Sequence, residues 1–275
     1  MKSKDGFTKK DIIVVFGCII FLLMNIGAIS GSGRRRAKAV VCLSNLRKWG
    51  IVFSMYCADH EGSFNPGNTG RGGGVAGFFW MDPLFPYHKD RKLQTCPMAV
   101  KTYMYEGGQQ PFVSWGGSED WYPPLSTEDD RGSYGQNCYM LNPPADRPHL
   151  YGFPTRNNWR TANIKGADNV PIFGDCMWIG TWPKDTDDPP EFNGDFYSSG
   201  DYINLCCFDR HNGTCSSADG GLYLTFADFS ARKVGVKEVF TLKWHRAFDT
   251  EGPWTAAGGV QPEDWPDWMS NFKDY

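Results

Sequence analysis

The densest group of metal-ligating side chains in this sequence is Cys206-Cys207, His211 and Cys215, with Cys207, His211 and Cys215 recurring every fourth residue. Thiolate and imidazole are zinc ligands. This spacing is not that of a usual zinc knuckle, however, and an oxidising compartment would favour a disulfide from Cys206 or Cys207 to Cys215. A second group, Asp185, Asp187, Asp188, Glu191 and Asp195, could supply carboxylate oxygens to calcium. It lacks the EF-hand pattern and reads first as a solvated acidic loop. Asn212-Gly213-Thr214 fits an N-glycosylation sequon, and equally a turn, which Asn-Gly favours. The other histidines, His60, His88, His149 and His245, are scattered. No nucleophile elbow, His-Glu-x-x-His motif, phosphate loop or dinucleotide fingerprint is present. The residues point away from an enzyme and from a bound cofactor. The metal alternatives are calcium at Asp185, Asp187 and Asp188, or zinc at Cys207, His211 and Cys215.

The elements that would position such groups begin with an unusual N-terminus. A short basic leader ends at Gly6, followed by Phe7-Thr8-Lys9-Lys10-Asp11 and an uncharged apolar run from Ile12 to Ile29. As a helix that run spans about 27 Å, close to the roughly 30 Å hydrocarbon core of a bilayer. It is therefore expected to be a membrane-directed segment that delivers the rest of the 275-residue chain to the far side. Residues 1–60 carry a net charge of +7, which leaves -10 for the remainder of a chain whose total is -3. A basic stalk and an acidic body fit contact with anionic lipid and exclude nucleic acid as a partner. Cys18 lies inside the apolar run, and the other eight of the nine cysteines suggest bridges in an oxidising compartment without identifying the pairing.

Beyond Ser30-Gly31-Ser32-Gly33, apolar residues return at steps of three and four: Ala39, Cys42, Leu46, Trp49, Phe53 and Tyr56. That spacing predicts one helix face, so residues 7–29 and 30–60 read as the two halves of one long helix. The remainder, 61–275, is rich in the chain's 32 Gly and 18 Pro and reads as a loop-rich β head. Strands are expected at Ala99–Tyr105, Gly135–Leu141, Val170–Trp178, Gly221–Ala227, Ala231–Val236 and Val239–Trp244. The tail from Glu251 to Tyr275, with Trp254, Trp265 and Trp268, is expected to dock on the body.

A leader ending in Gly6, then Phe7-Thr8, an acid at Asp11 and an apolar helix resembles the prepilin signal of type IV pilins and pseudopilins. Ala37–Gly50, Tyr56–Pro66, Cys96-Pro97, Ser133–Asn137, Phe173-Gly174-Asp175, Arg210–Gly213 and Phe226-Ala227-Asp228 are similar, in this order, to the large pseudopilin-like families of planctomycete-type bacteria. The chain departs from them in having Lys9-Lys10 before the acid, Asp11 in place of Glu, and Phe229 where an Asp-Gly pair would place Gly. The resemblance implies a leader of residues 1–6, prepilin-peptidase cleavage between Gly6 and Phe7, and methylation of Phe7. It further implies pairing of Asp11 with a neighbouring subunit's N-terminal amine, and a Cys42–Cys96 disulfide. It also brings the calcium that some major pseudopilins hold in a C-terminal loop.

The fold expected on these grounds is α+β: a membrane helix continued as an amphipathic stalk, packed on a loop-rich antiparallel β-sheet head. The expected location is the bacterial inner membrane, single-pass with the head outside the cytoplasm, passing to an extracellular filament on assembly. The expected function is a structural subunit of a type IV pilus-like or type II secretion pseudopilus-like filament. Its partners would be further copies of itself, the peptidase, the assembly machinery and the membrane. The alternative is a monomeric membrane-anchored surface module that binds glycans through its aromatic head.

Overall fold

The computed structural model of the chain describes residues 8–67, 80–102, 110–116, 131–195, 200–211 and 220–275. Helix α1 runs Lys9–Asp59 and α2 Met81–His88. The strands are β1 Lys101–Thr102, β2 Val113–Ser114, β3 Tyr134–Asn137, β4 His149–Leu150, β5 Phe153–Pro154, β6 Pro171–Asp175, β7 Gly180–Thr181, β8 Gly221–Phe226 and β9 Ala231–Gly235.

Thr8 begins α1 as a capping box. Its side chain accepts from the Asp11 amide, and the Asp11 carboxylate accepts in turn from the Thr8 amide at 2.9 Å, so two N–H groups at the helix start are satisfied reciprocally. The helix stops where Glu61 and Gly62 take left-handed backbone, φ 54° and 79°. Its two halves differ in surroundings. From Ile12 to Met24 the large apolar side chains are exposed, whereas Cys42, Leu46, Trp49, Phe53 and Tyr56 are buried in the main core. The three-and-four spacing thus turns one face of the second half onto the head.

The principal sheet has the order β7-β3-β6-β8-β9. β3–β6, β6–β8 and β8–β9 are antiparallel, but β7 runs parallel to β3. The expected antiparallel head is therefore corrected to a mixed sheet. A chain doubling back through residues 176–179 brings Gly180 beside Gln136 in the same direction as β3. The expected membrane half and the single-pass inner-membrane location are corrected as well. Among the described residues no helix is long and apolar enough to cross a membrane. The segment expected as a strand at Val239–Trp244 is instead the end of a 3-10 helix, Lys237–Thr241, and its irregular exit; Val239, Phe240, Leu242 and Trp244 are buried by packing without strand pairing.

α1 lies against β8, β9 and β6. Thr225 on β8 donates its hydroxyl to the Leu46 carbonyl at 2.8 Å. Next to it, helix and β8–β9 turn approach so closely that a Cβ on Gly50 would lie 2.3 Å from the Phe229 carbonyl oxygen. Phe229 itself holds φ 65°, the left-handed backbone that a glycine would take without strain. Gly50→Ala is expected to destabilise by about 1–3 kcal/mol despite alanine's higher helix propensity, because a backbone oxygen cannot rotate away. Urea denaturation would measure it.

A second core joins β8 and β9 to the tail through Leu222, Val234, Phe240, Trp265, Met269 and Phe272. Lys237, itself buried, reaches Asp274 at 2.6 Å and lies over the Trp265 ring. Near the junction His245 packs at a tilt against Tyr139 and is held to a pKa of about 4 by burial. The unfolded chain takes up this proton near 6.5, the folded chain only near 4. Its contribution is therefore complete above pH 6.5 and lost as pH falls through 4. Melting curves at pH 7 and pH 5 should converge more closely for His245→Gln than for the native chain.

Candidate functional site

Two places have surroundings that packing of the body alone does not explain. The first is the amino-terminal half of α1. Ile13, Val14, Phe16, Phe21, Leu22, Leu23 and Met24 are each more than 55% exposed, and they face every side of the helix. A helix apolar all round is stable in a buried setting, so this half is built to be covered. At its start the Asp11 carboxylate also accepts from the Thr8 hydroxyl at 2.7 Å, and this bonding holds its pKa below the usual carboxylate value. Cys18, the exposed cysteine among those described, sits on this half. Gly6 and Phe7 lie outside the described residues.

The second place is inside the head. Asp175 closes β6 and is fully buried, as is Arg210. Arg210 donates to Asp175 Oδ1 at 2.8 Å and to the carbonyls of Pro111, Ser133 and Cys176 at 2.6, 2.7 and 2.9 Å. The other carboxylate oxygen, Oδ2, accepts from the Tyr223 amide at 3.1 Å and lies 3.3 Å from His211 Nε2. That same nitrogen is 3.6 Å from Cys96 Sγ. Cys42, from α1, places its sulfur 3.5 Å from Asp175 Oδ1, and Tyr134 donates its hydroxyl to it at 3.2 Å. One potential ligand atom from each of Cys42, Cys96, Asp175 and His211 lies within 4.8 Å of the other three.

Electrostatics in this cluster follow from burial set against close partners. Burial disfavours the Asp175 carboxylate, but the His211 and Arg210 charges outweigh it and hold its pKa low. Burial likewise opposes the His211 imidazolium, and Asp175 with Cys96 overcomes that to raise it to about 9. For Cys96 burial is outweighed by bonding to Cys42 and His211, which brings the thiol down to about 5, whereas burial pushes Cys42 well up.

The sequence-derived candidates sort as follows. Cys42 and Cys96, read as a disulfide pair, are neighbours and both are free thiols. His211 faces Cys96 and Asp175, while Cys207 points its thiol toward the Pro111 carbonyl and Cys215 lies outside the described residues. Asp187 is buried and accepts from the Lys184 and Ile203 amides; burial raises its pKa to about 6. Asp188 accepts from the Trp254 indole at 3.1 Å, and the backbone of Asp185 abuts Gly252. These three acids do not converge on one point: among the described residues the four-ligand group at Asp175 is the one that does. Sequence reasoning missed Asp175 and Arg210 as site residues. The available signal was an acid ending an apolar strand run, Pro171-Ile172-Phe173-Gly174-Asp175, in a chain with Arg210 beside His211.

No protein-family model, curated protein or solved structure matches this chain.

Proposed function

We propose that this chain is a structural subunit that polymerises, copies packing against one another through the Lys9–Met24 half of α1. The observation that carries the reading is the ring of exposed apolar side chains from Ile12 to Met24 on a helix continuous with a firmly docked second half. Covering that ring with the same surface of another copy removes apolar area from water on both partners. The docked half, locked to the sheet at Cys42, Leu46, Trp49 and Phe53, fixes each head relative to the contact. The resemblance to prepilins supports the same reading and adds processing between Gly6 and Phe7 by a prepilin peptidase. It also assigns Asp11 to pair with the amine of Phe7 on the next subunit, and assembly to machinery of the type IV pilus or type II secretion kind. No catalytic role is assigned. N-terminal sequencing of sedimentable material from the native source tests the reading: it requires Phe7 at the terminus of polymeric material, and a chain found only as unassembled monomer would refute it.

A groove favours a second reading, a glycan-binding head. Asp188, Pro253, Trp254, Val260 and Asp264 line an open depression of about 320 Å³. An indole flanked by carboxylates suits a sugar, offering its face to C–H groups and acceptors to hydroxyls. Trp254→Ala is expected to weaken binding to surface polysaccharide at least tenfold, about 1.4 kcal/mol, without changing assembly. Glycan-array or calorimetric titration would measure it.

A further inference from the structure

We propose that Cys42, Cys96, Asp175 and His211 form a closed structural site for one zinc ion, which staples the stalk helix to the sheet. The inference is independent of the filament reading.

The interatomic distances argue first. Zinc bonded tetrahedrally to thiolate sulfur, imidazole nitrogen and carboxylate oxygen at ordinary lengths keeps its ligand atoms about 3.3 to 3.8 Å apart. His211 Nε2 to Asp175 Oδ2 is 3.3 Å, Cys42 Sγ to Asp175 Oδ1 3.5 Å, and Cys96 Sγ to His211 Nε2 3.6 Å. All four residues offer ligand atoms within 4.8 Å of one another, so the side chains need only draw in around the ion.

The arrangement also differs from what the same residues would need for catalysis. A Cys–His–Asp relay uses the two imidazole nitrogens separately, one toward the thiol and one toward the carboxylate. Here Nε2 faces both, and His211 Nδ1 is buried with no partner among the described residues. Cys42, Cys96 and Asp175 are at most 1% exposed, so no substrate reaches them. Convergence on one point inside a closed core is coordination geometry.

The surroundings supply what coordinating atoms require. Tyr134 donates its hydroxyl to Cys42 Sγ, and the Met98 amide, two residues on through Pro97, donates to Cys96 Sγ at 3.4 Å. The Tyr223 amide and Arg210 hold the two oxygens of Asp175. Such outer partners orient ligands and stabilise thiolates. Charge closes as well: two thiolates and a carboxylate sum to three negative charges, and zinc with the buried Arg210 guanidinium to three positive. Binding releases two protons to solvent, one from the Cys42 thiol and one from the Cys96–His211 pair, and nothing is oxidised. Thiolate with imidazole selects zinc over calcium or magnesium. The ligands come from α1, the turn after residue 95, the end of β6 and the turn at residues 208–211, so the ion would join four distant parts of the chain.

The test is metal analysis of the folded full-length chain, purified under reducing conditions without chelator and dialysed against zinc. The proposal expects one zinc per chain and, after exchange with cobalt, a thiolate-to-metal charge-transfer absorption. Tyr134→Phe removes only an outer hydroxyl and should fold; it is expected to weaken zinc affinity about 10- to 100-fold. Cys42→Ser with Cys96→Ser should abolish the cobalt absorption, whereas Cys18→Ser should leave it intact. A folded native chain that retains no zinc overturns the proposal. So does a Cys42–Cys96 disulfide found by peptide mapping, or zinc binding that Tyr134→Phe and the double variant leave unchanged.

Discussion

Asp175→Ala will lower the stability of the chain by about 3–5 kcal/mol in urea denaturation, the cost of leaving a buried guanidinium without its counter-ion. Arg210 is wholly inside the head, with three backbone carbonyls as its other partners. Those carbonyls accept three of its five hydrogens and supply no counter-charge. A loss of this size is a large share of the 5–15 kcal/mol typical of a domain. Asp175→Asn keeps the shape and an acceptor for Arg210 and should cost less. Arg210→Met combined with Asp175→Ala should cost less than the sum of the two single changes, since no lone charge is then buried. Additive losses would mean that the pair is not coupled as the 2.8 Å contact requires.

The second large effect is on assembly. Phe16→Asp with Ile20→Asp places two carboxylates one turn apart on the exposed apolar half of α1. Packing a copy against that face would bury unpaired charge, which costs several kcal/mol per group, so the sedimentable fraction should fall by far more than tenfold. Monomer stability should not change, because the substituted side chains are exposed and the core begins at Cys42. Maleimide labelling of Cys18 gives an independent readout: the other described cysteines are buried, so assembly should protect Cys18 in the native chain and not in the variant. Asp11→Asn isolates the charge at the head of the helix. It retains acceptors for Thr8 while removing the carboxylate proposed to meet the next subunit's amine.

Local patterns in the sequence were legible to the extent that they are set by neighbours along the chain. The stripe Cys42, Leu46, Trp49, Phe53, Tyr56 marks the face of α1 that is buried, and the runs at β6, β8 and β9 read as strands because alternation or continuous apolarity reports burial directly. Val239–Trp244 misled for the same reason. Its apolar residues are buried, but as a 3-10 turn and its exit, and burial alone does not distinguish the two. The parallel strand β7 is two residues long, too short for any periodicity.

The membrane reading rests on apolarity counted through Ile29, whereas among the described residues no helix is long and apolar enough to cross a membrane. The buried site was hidden more deeply. His211 was grouped with Cys207 and Cys215 because they are near in sequence, yet its partners are Asp175 and Cys96, which reach it only once the sheet has formed. Spacing four apart means a shared face only on a helix, and residues 206–211 are extended and turn.

The most direct test of the central claim is cryo-electron microscopy of material assembled from the purified chain processed to begin at Phe7. The account predicts helical filaments in which the Lys9–Met24 halves of α1 from successive copies pack together along the axis, with the heads outside. Particles that remain monomeric, or that associate through their heads with this half of α1 exposed to solvent, would contradict it.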